Sequence, residues 1–354
     1  MPSLDGLRGL AILFVLLSHA AAGYAETDHI EWLAHVGEIG VDIFFVLSGF
    51  LITTLLNDED RRSGTIEIGR FVVRRALRIF PAAYAFFLIM AAANAAGWIQ
   101  LNRYDLAAAL TYTMNFDASP AWWLGHTWTL SVEEQFYLVG PLVVYLARPA
   151  RGAVVALAAV LVMPIVRLAL VQGAPSLEDN FERTLVVAID GFAVGSLLAI
   201  VRGRLESHPR YMRYLRAWWV PLLLPAAVLL GPLEHHPLLF YGAVQSFIYI
   251  SLALCLHRTQ IVTADAVSRL LNWTPLIWLG SISYSLYLWQ QPFFAPSGSA
   301  LVPSLLLDCV LSVGCALASY HLIEQPFLRL RDRLWPAKTL SARVDTRRPI
   351  EAVP

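Results

Sequence analysis

The chain has 354 residues, 57% of them hydrophobic and only 15% charged, with 26 basic and 26 acidic side chains and a mean hydropathy of +0.58. Soluble domains carry about 25% charged residues, so the composition excludes a soluble globular protein, and no nucleic-acid partner is expected. Three cysteines, Cys255, Cys309 and Cys315, fall inside apolar segments without paired spacing, which argues against a disulfide framework and against a metal site.

The first apolar segment, from Leu4 to His19, carries Arg8 near its start and His19 near its end. Eleven residues at about 3.6 per turn are close to three whole turns, so both side chains share one helix face with the histidine about 16 Å further along the axis. No basic run precedes the segment, and both polar residues would be lost with a cleaved leader, so it is expected to be a membrane helix rather than a signal peptide. His19 reads either as a general base for an alcohol, because an apolar surrounding favours the neutral imidazole, or as a histidine hydrogen-bonded across the bundle for packing.

Further candidate spans are 38–57, 79–98, 128–147, 152–172, 184–201, 218–234, 237–256, 276–295 and 301–323, about ten in all with the first at 6–23. In the second, Asp42 sits near one end, either orienting the imidazole or holding a substrate hydroxyl, or else capping a helix start; Ser48 and Gly49 suit close helix approach. At the foot of the third, Arg75 and Arg78 are three apart and so share a helix face suited to gripping phosphates, whereas most other arginines of this connection need only the topological explanation. The stretch from Asp105 to Trp123 is too polar for a comfortable span and reads as a re-entrant or interfacial piece. The fourth span opens with Trp122, Trp123 and Trp128, which are interface anchors or a stacking surface for a sugar, and continues into Glu133, Glu134 and Tyr137. The two adjacent carboxylates point about 100° apart, so only one of them can easily face the His19 cavity. Asp190 is intramembrane and could line a cavity, whereas Gly191 and Gly195 have the spacing of helix packing.

Orientation follows from the arginines. The connection between the second and third spans holds Arg61, Arg62, Arg70, Arg74, Arg75 and Arg78, whereas the one between the first and second holds none. Placing the basic loop in the cytoplasm leaves only Arg103 and Arg183 outside, with Arg8 and Arg167 in spans, and puts both termini inside. The expectation is one all-α integral membrane domain over residues 1–334, multi-pass in the cell (inner) membrane, with a disordered cytoplasmic tail over 335–354. Arg8, Arg75 and Arg78 then lie at the cytoplasmic side and His19, Asp42 and Glu133/Glu134 in the outer half. A donor with an anionic head and a reactive end deep in the protein would fit both.

These motifs resemble the integral-membrane acyltransferase 3 family. The Arg-x10-His of Arg8 and His19, the run from Gly40 to Phe50, the Arg-x-x-Arg of Arg75 and Arg78, the block from Trp128 to Tyr137, Ser283 to Trp289 and Ile323 to Pro326 are similar to its blocks in the same order, from Leu4 to about Arg331. The resemblance implies a membrane O-acyltransferase that moves an acyl group, acetyl by preference, from cytoplasmic acyl-CoA to a hydroxyl of a carbohydrate, glycolipid or macrolide-like acceptor. Arg8, Arg75 and Arg78 would bind the CoA, which is a co-substrate and not a permanently bound cofactor. His19 would be the general base, supported by Asp42, Glu133 or Glu134, with Trp128, Tyr137 and Asp190 toward the acceptor. Gln290 and Gln291 follow Trp289 where members of the family often have a histidine, and no hydrolase-like domain is expected beside the membrane domain. The rival reading is a proton-coupled secondary transporter of an anionic or acylated metabolite, which internal repeats would favour, and none is found between the halves.

Overall fold

The computed structural model describes residues 2–24, 31–173, 183–295 and 304–335, and among them there is no strand. The tail beyond residue 335 lies outside the described residues. The principal helices are α1 (Pro2–Tyr24), α2 (Glu31–Ser63), α3 (Ile68–Ala95), α4 (Asp105–Leu110), α5 (Trp122–Gly125), α6 (Trp128–Gly173), α7 (Leu185–Glu206), α8 (Gln245–Ile261), α9 (Ala266–Leu271), α10 (Thr274–Ser281), α11 (Ser283–Gln290), α12 (Leu305–Ser319) and α13 (Gln325–Leu334).

Among the described residues, seven helices are long and apolar enough to cross a membrane, or eight if the bent pair Pro209–Leu215 and Val220–His235, which turns by 59°, forms one crossing. The chain is a multi-pass membrane protein. Of the segments expected to span, 128–147 and 276–295 are outside both the seven and the bent pair. The first runs without a break through the connection expected at 148–151 into the next, as one helix of 46 residues. The second is divided at Ile282 into α10 and α11. The third helix begins at Ile68, well before the expected residue 79, so Arg75 and Arg78 lie within it, as expected of two residues at the foot of the span.

Two sets of glycines set the helix spacing. A methyl group on Gly9 would overlap the carbonyl of Leu276, and one on Gly280 would overlap that of Asp5, so α1 and α10 meet backbone to backbone. Gly49 lies on the Phe192 carbonyl and Gly195 on that of Val46, which brings α2 and α7 equally close. Small residues permit such approach, and the contacts that follow replace the hydrophobic drive that lipid cannot supply. Gly280→Ala is therefore expected to destabilise the fold by about 1–3 kcal/mol through overpacking, read as earlier thermal loss of the monodisperse peak of detergent-extracted protein; unchanged stability would show that α1 and α10 can separate freely.

The stretch from Asp105 to Gly125 folds as α4, a 3-10 turn at Met114–Phe116 and α5. Met114, Trp123 and Leu124 are buried in one apolar cluster with Phe86 and Phe87 of α3. Asp105 is fully buried and accepts hydrogen bonds from the backbone N–H groups of Asn102 (2.5 Å) and Ala121 (3.2 Å), which closes the loop on itself. Burial raises its carboxyl above the usual carboxylate range, while those two N–H donors pull against the rise.

Candidate active site

Four helices pass along two adjoining cavities. The first cavity, about 120 Å³, is lined by Arg8, Arg75, Arg78, Ser48, Glu133 and Tyr137 among others. The second, about 400 Å³, is lined by His19, Asp42, Trp122, Trp128, His126 and Gln291 among others. Among the described residues only Val41, Phe45, Thr129 and Tyr287 line both, and they form the septum between them. Along α1, Arg8 belongs to the first cavity and His19 to the second, so the three-turn phase read from the sequence links one to the other.

The arginine cavity gathers three guanidiniums. None of Arg8, Arg75 and Arg78 is in an ion pair among the described residues. The guanidinium of Arg75 lies over the Tyr137 ring, 5.1 Å from its centroid, a contact that orients the cation without neutralising it. Glu133 is the one carboxylate lining this cavity, and its two oxygens accept from the Ser48 hydroxyl (3.1 Å) and the Tyr137 hydroxyl (3.0 Å). Tyr284 of α11 ties the site to α3 by donating to the Ile79 carbonyl (2.7 Å). Ser285, one residue on, donates to Glu324 (3.0 Å) in the π-helical turn Tyr320–Glu324.

The histidine cavity is arranged around His19. Its Nδ1 is 2.8 Å from Gln290 Oε1. The Gln290 amide nitrogen donates to the Tyr287 carbonyl (3.4 Å), which turns Oε1 toward the ring; Nδ1 therefore carries the proton and donates, and Nε2 keeps its lone pair. The indole of Trp122 meets the imidazole edge to face at 5.8 Å and is itself held by donating to the Gln291 carbonyl (2.8 Å). His126, 4% exposed, donates from Nε2 to the Leu288 carbonyl (3.2 Å), which leaves Nδ1 buried without a partner on a wall of the same cavity. At the rim, His35 lies 3.3 Å from Glu38 and 3.6 Å from Glu234, two carboxylates that also line the cavity.

Several expected placements change. Glu133 lies with the arginines and not beside His19, because Thr129, Glu133 and Tyr137 are spaced four apart on α6 and that face runs from the septum into the arginine cavity. Tyr137 follows it there and lines the arginine cavity, not the histidine cavity. Glu134 lines neither cavity, and its Oε1 is buried without a partner. Asp42 lines the histidine cavity but is hydrogen-bonded to Tyr249, so the imidazole is held by an amide and not by a carboxylate. It stands more than two turns inside α2, which removes the helix-cap reading. Asp190 lines neither cavity; it is fully buried in a 2.8 Å ion pair with Arg167 and accepts from Ser246 (2.8 Å). Trp128 lies in the histidine cavity as expected. His126, Thr129 and Tyr287 were given no role from the sequence, Ser48 was read as a helix-packing residue and Gln290 only as standing where the resembling family often has a histidine, although the four-residue spacing from Thr129 to Tyr137 was a visible sign of a single face.

A family model described as an acyltransferase domain, acyltransferase 3, matches residues 1–323. YrhL of Bacillus subtilis, whose name carries a provisional assignment as a peptidoglycan O-acetyltransferase, is 28% identical over 92% of this chain and 54% of its own length. OatA of Listeria monocytogenes, a peptidoglycan O-acetyltransferase, is 27% identical over 82% of this chain and 49% of its own. The chain thus spans about half the length of these curated relatives. No solved structure matches it.

Proposed function

This chain belongs to the acyltransferase 3 family of membrane O-acyltransferases, and we propose that it moves an acetyl group from acyl-CoA, held on the arginine side, to a hydroxyl of a glycan held on the histidine side. The observation that carries this reading is the gathering of Arg8, Arg75 and Arg78 in one cavity without an ion pair. Three cations share this cavity with one carboxylate, Glu133, which is held by the Ser48 and Tyr137 hydroxyls; the excess of positive charge is costly in a membrane protein unless an anion joins it, and arginine forks match phosphate geometry. The cavity is far smaller than a whole CoA, so the nucleotide stays outside with its phosphates on the arginines while the pantetheine arm enters toward Thr129 and Tyr287. The basic run from Arg61 to Arg78 favours a cytoplasmic face for this side, where acyl-CoA is available.

On the other side the acceptor hydroxyl gives its proton to His19 Nε2 as its oxygen attacks the thioester carbonyl carbon. Gln290 accepts from Nδ1–H throughout and fixes the tautomer. A cavity of about 400 Å³ with Trp122, Trp128 and Tyr241 on its walls and Asp42, Gln245 and the free Nδ1 of His126 to receive hydroxyls suits a sugar ring. The relatives named for peptidoglycan support a carbohydrate acceptor.

The test uses purified full-length protein in lipid nanodiscs, labelled acetyl-CoA and a soluble N-acetylglucosamine oligomer. Label on the oligomer is expected for the wild type. Arg75→Gln is expected to raise the apparent KM for acetyl-CoA by about tenfold or more, the equivalent of one charged hydrogen bond at about 1.5–3 kcal/mol. Uptake of acetyl-CoA by proteoliposomes without any covalent product would instead favour the transporter.

A further inference from the structure

We propose that the hydroxyls of Thr129 and Tyr287 are catalytic donors that hold the thioester carbonyl oxygen at the junction of the two cavities. The inference rests on the donor and base assignments above and extends them to the reacting carbonyl. The arginines line only one cavity and His19 only the other. The carbonyl carbon must come within about 3–3.5 Å of the acceptor oxygen while its thiol carrier stays on the arginine side. The only place that satisfies both is the septum.

Of the four side chains that line both cavities, Val41 and Phe45 offer no polar atom, which leaves Thr129 and Tyr287. Their hydroxyls are already paired with each other. Thr129 Oγ1 donates to the Tyr287 oxygen (2.6 Å), and Tyr287 donates to the His126 carbonyl (2.7 Å). Thr129 is 6% exposed and Tyr287 8%, so neither competes with bulk water. The Thr129 proton rests on a neutral phenol oxygen and the Tyr287 proton on a neutral carbonyl, each a weaker acceptor than a developing oxyanion. Rotation about each C–O bond turns the Thr129 proton from the Tyr287 oxygen, and the Tyr287 proton from the His126 carbonyl, to the substrate oxygen, with no movement of either helix.

In the step itself the acceptor oxygen bonds to the carbonyl carbon, the C=O π pair moves onto oxygen, and the proton of the acceptor passes to His19 Nε2. The Thr129 and Tyr287 hydroxyls donate to the oxyanion so formed. Collapse restores the C=O bond and breaks the C–S bond, and the departing thiolate takes the proton from the imidazolium. Ester, thiol and neutral imidazole result.

The experiment compares Tyr287→Phe, Thr129→Val and Thr129→Ser with wild type in nanodiscs, following CoA thiol release and label on the N-acetylglucosamine oligomer, with binding of a non-hydrolysable acetyl-CoA thioether as a check of folding. Tyr287→Phe is expected to lower kcat by about 10²-fold or more with the KM for acetyl-CoA and thioether binding within about threefold of wild type. Thr129→Val is expected to follow it and Thr129→Ser to recover most of the rate. A kcat within twofold of wild type in both Tyr287→Phe and Thr129→Val overturns the inference. So does thiol release that rises above wild type when the oligomer is absent, because a septum acting only as a seal would leak water once broken. A wild type inert toward acetyl-CoA removes the donor assignment and the inference with it, whereas an active wild type with unaffected variants removes the inference alone.

Discussion

His19→Ala is expected to cut acetyl transfer by about 10²–10⁴-fold while leaving acetyl-CoA binding close to wild type. The split follows from the geometry: His19 lines the larger cavity only, so its removal leaves the three arginines and their surroundings untouched. His19→Gln should behave alike, because an amide occupies the space without an acceptor nitrogen of suitable basicity. Gln290→Leu should give a smaller loss in the same parameter, since the base survives but its Nδ1–H no longer has the acceptor that fixes the tautomer. Turnover by His19→Ala near the wild-type rate would remove the histidine from the reaction and leave the cavity as a binding site.

The second large effect is structural. Asp190→Ala is expected to abolish recovery of folded protein, because Arg167 would remain as a fully buried cation without a counter-charge; breaking such a pair from one side costs about 3–5 kcal/mol. The guanidinium also donates to the carbonyls of Tyr241 (2.9 Å) and Val187 (3.3 Å) and to Ser246 (2.8 Å), so it joins α6, α7 and the entry to α8 at one point. Replacing both partners together, Arg167→Met with Asp190→Leu, should restore much of the folded yield in detergent size exclusion, and with it transfer activity. Recovery of folded but inactive double variant would instead return Asp190 to the substrate.

How much of this was legible in the sequence can be told residue by residue. The phase of Arg8 and His19 was, because a helical period is fixed and two residues on one helix need no tertiary knowledge. The shared face of Arg75 and Arg78 was legible for the same reason, as was the helix contact at Gly195. The side on which Glu133 falls was not. The reading located it by depth from the entry of its helix, and Trp128 to Glu133 is only about 7.5 Å of rise, enough to pass the septum yet too little to register as a different depth. Partners on separate helices were equally hidden: nothing in the order of residues says that Gln290 meets His19 or that Tyr249 meets Asp42. Arg167 and Asp190 carried a signal that could have been used, since two opposite charges in neighbouring spans are each costly alone and inexpensive together.

The four helices that border both cavities impose a rule on which changes the chain can tolerate. Inserting one residue between Arg8 and His19 would swing the imidazole about 100° around the axis and break its hydrogen bond to Gln290, although composition and hydropathy would hardly change. Four inserted residues would nearly return the phase, at about 40° beyond a full turn, but would lengthen the separation by about 6 Å and strand the base above the septum. Substitution is free to alter what each cavity accepts, whereas insertion and deletion within these helices desynchronise the two. The spacing of ten residues between arginine and histidine is in this sense a reading frame for geometry: it can carry many different side chains, but it cannot be shifted.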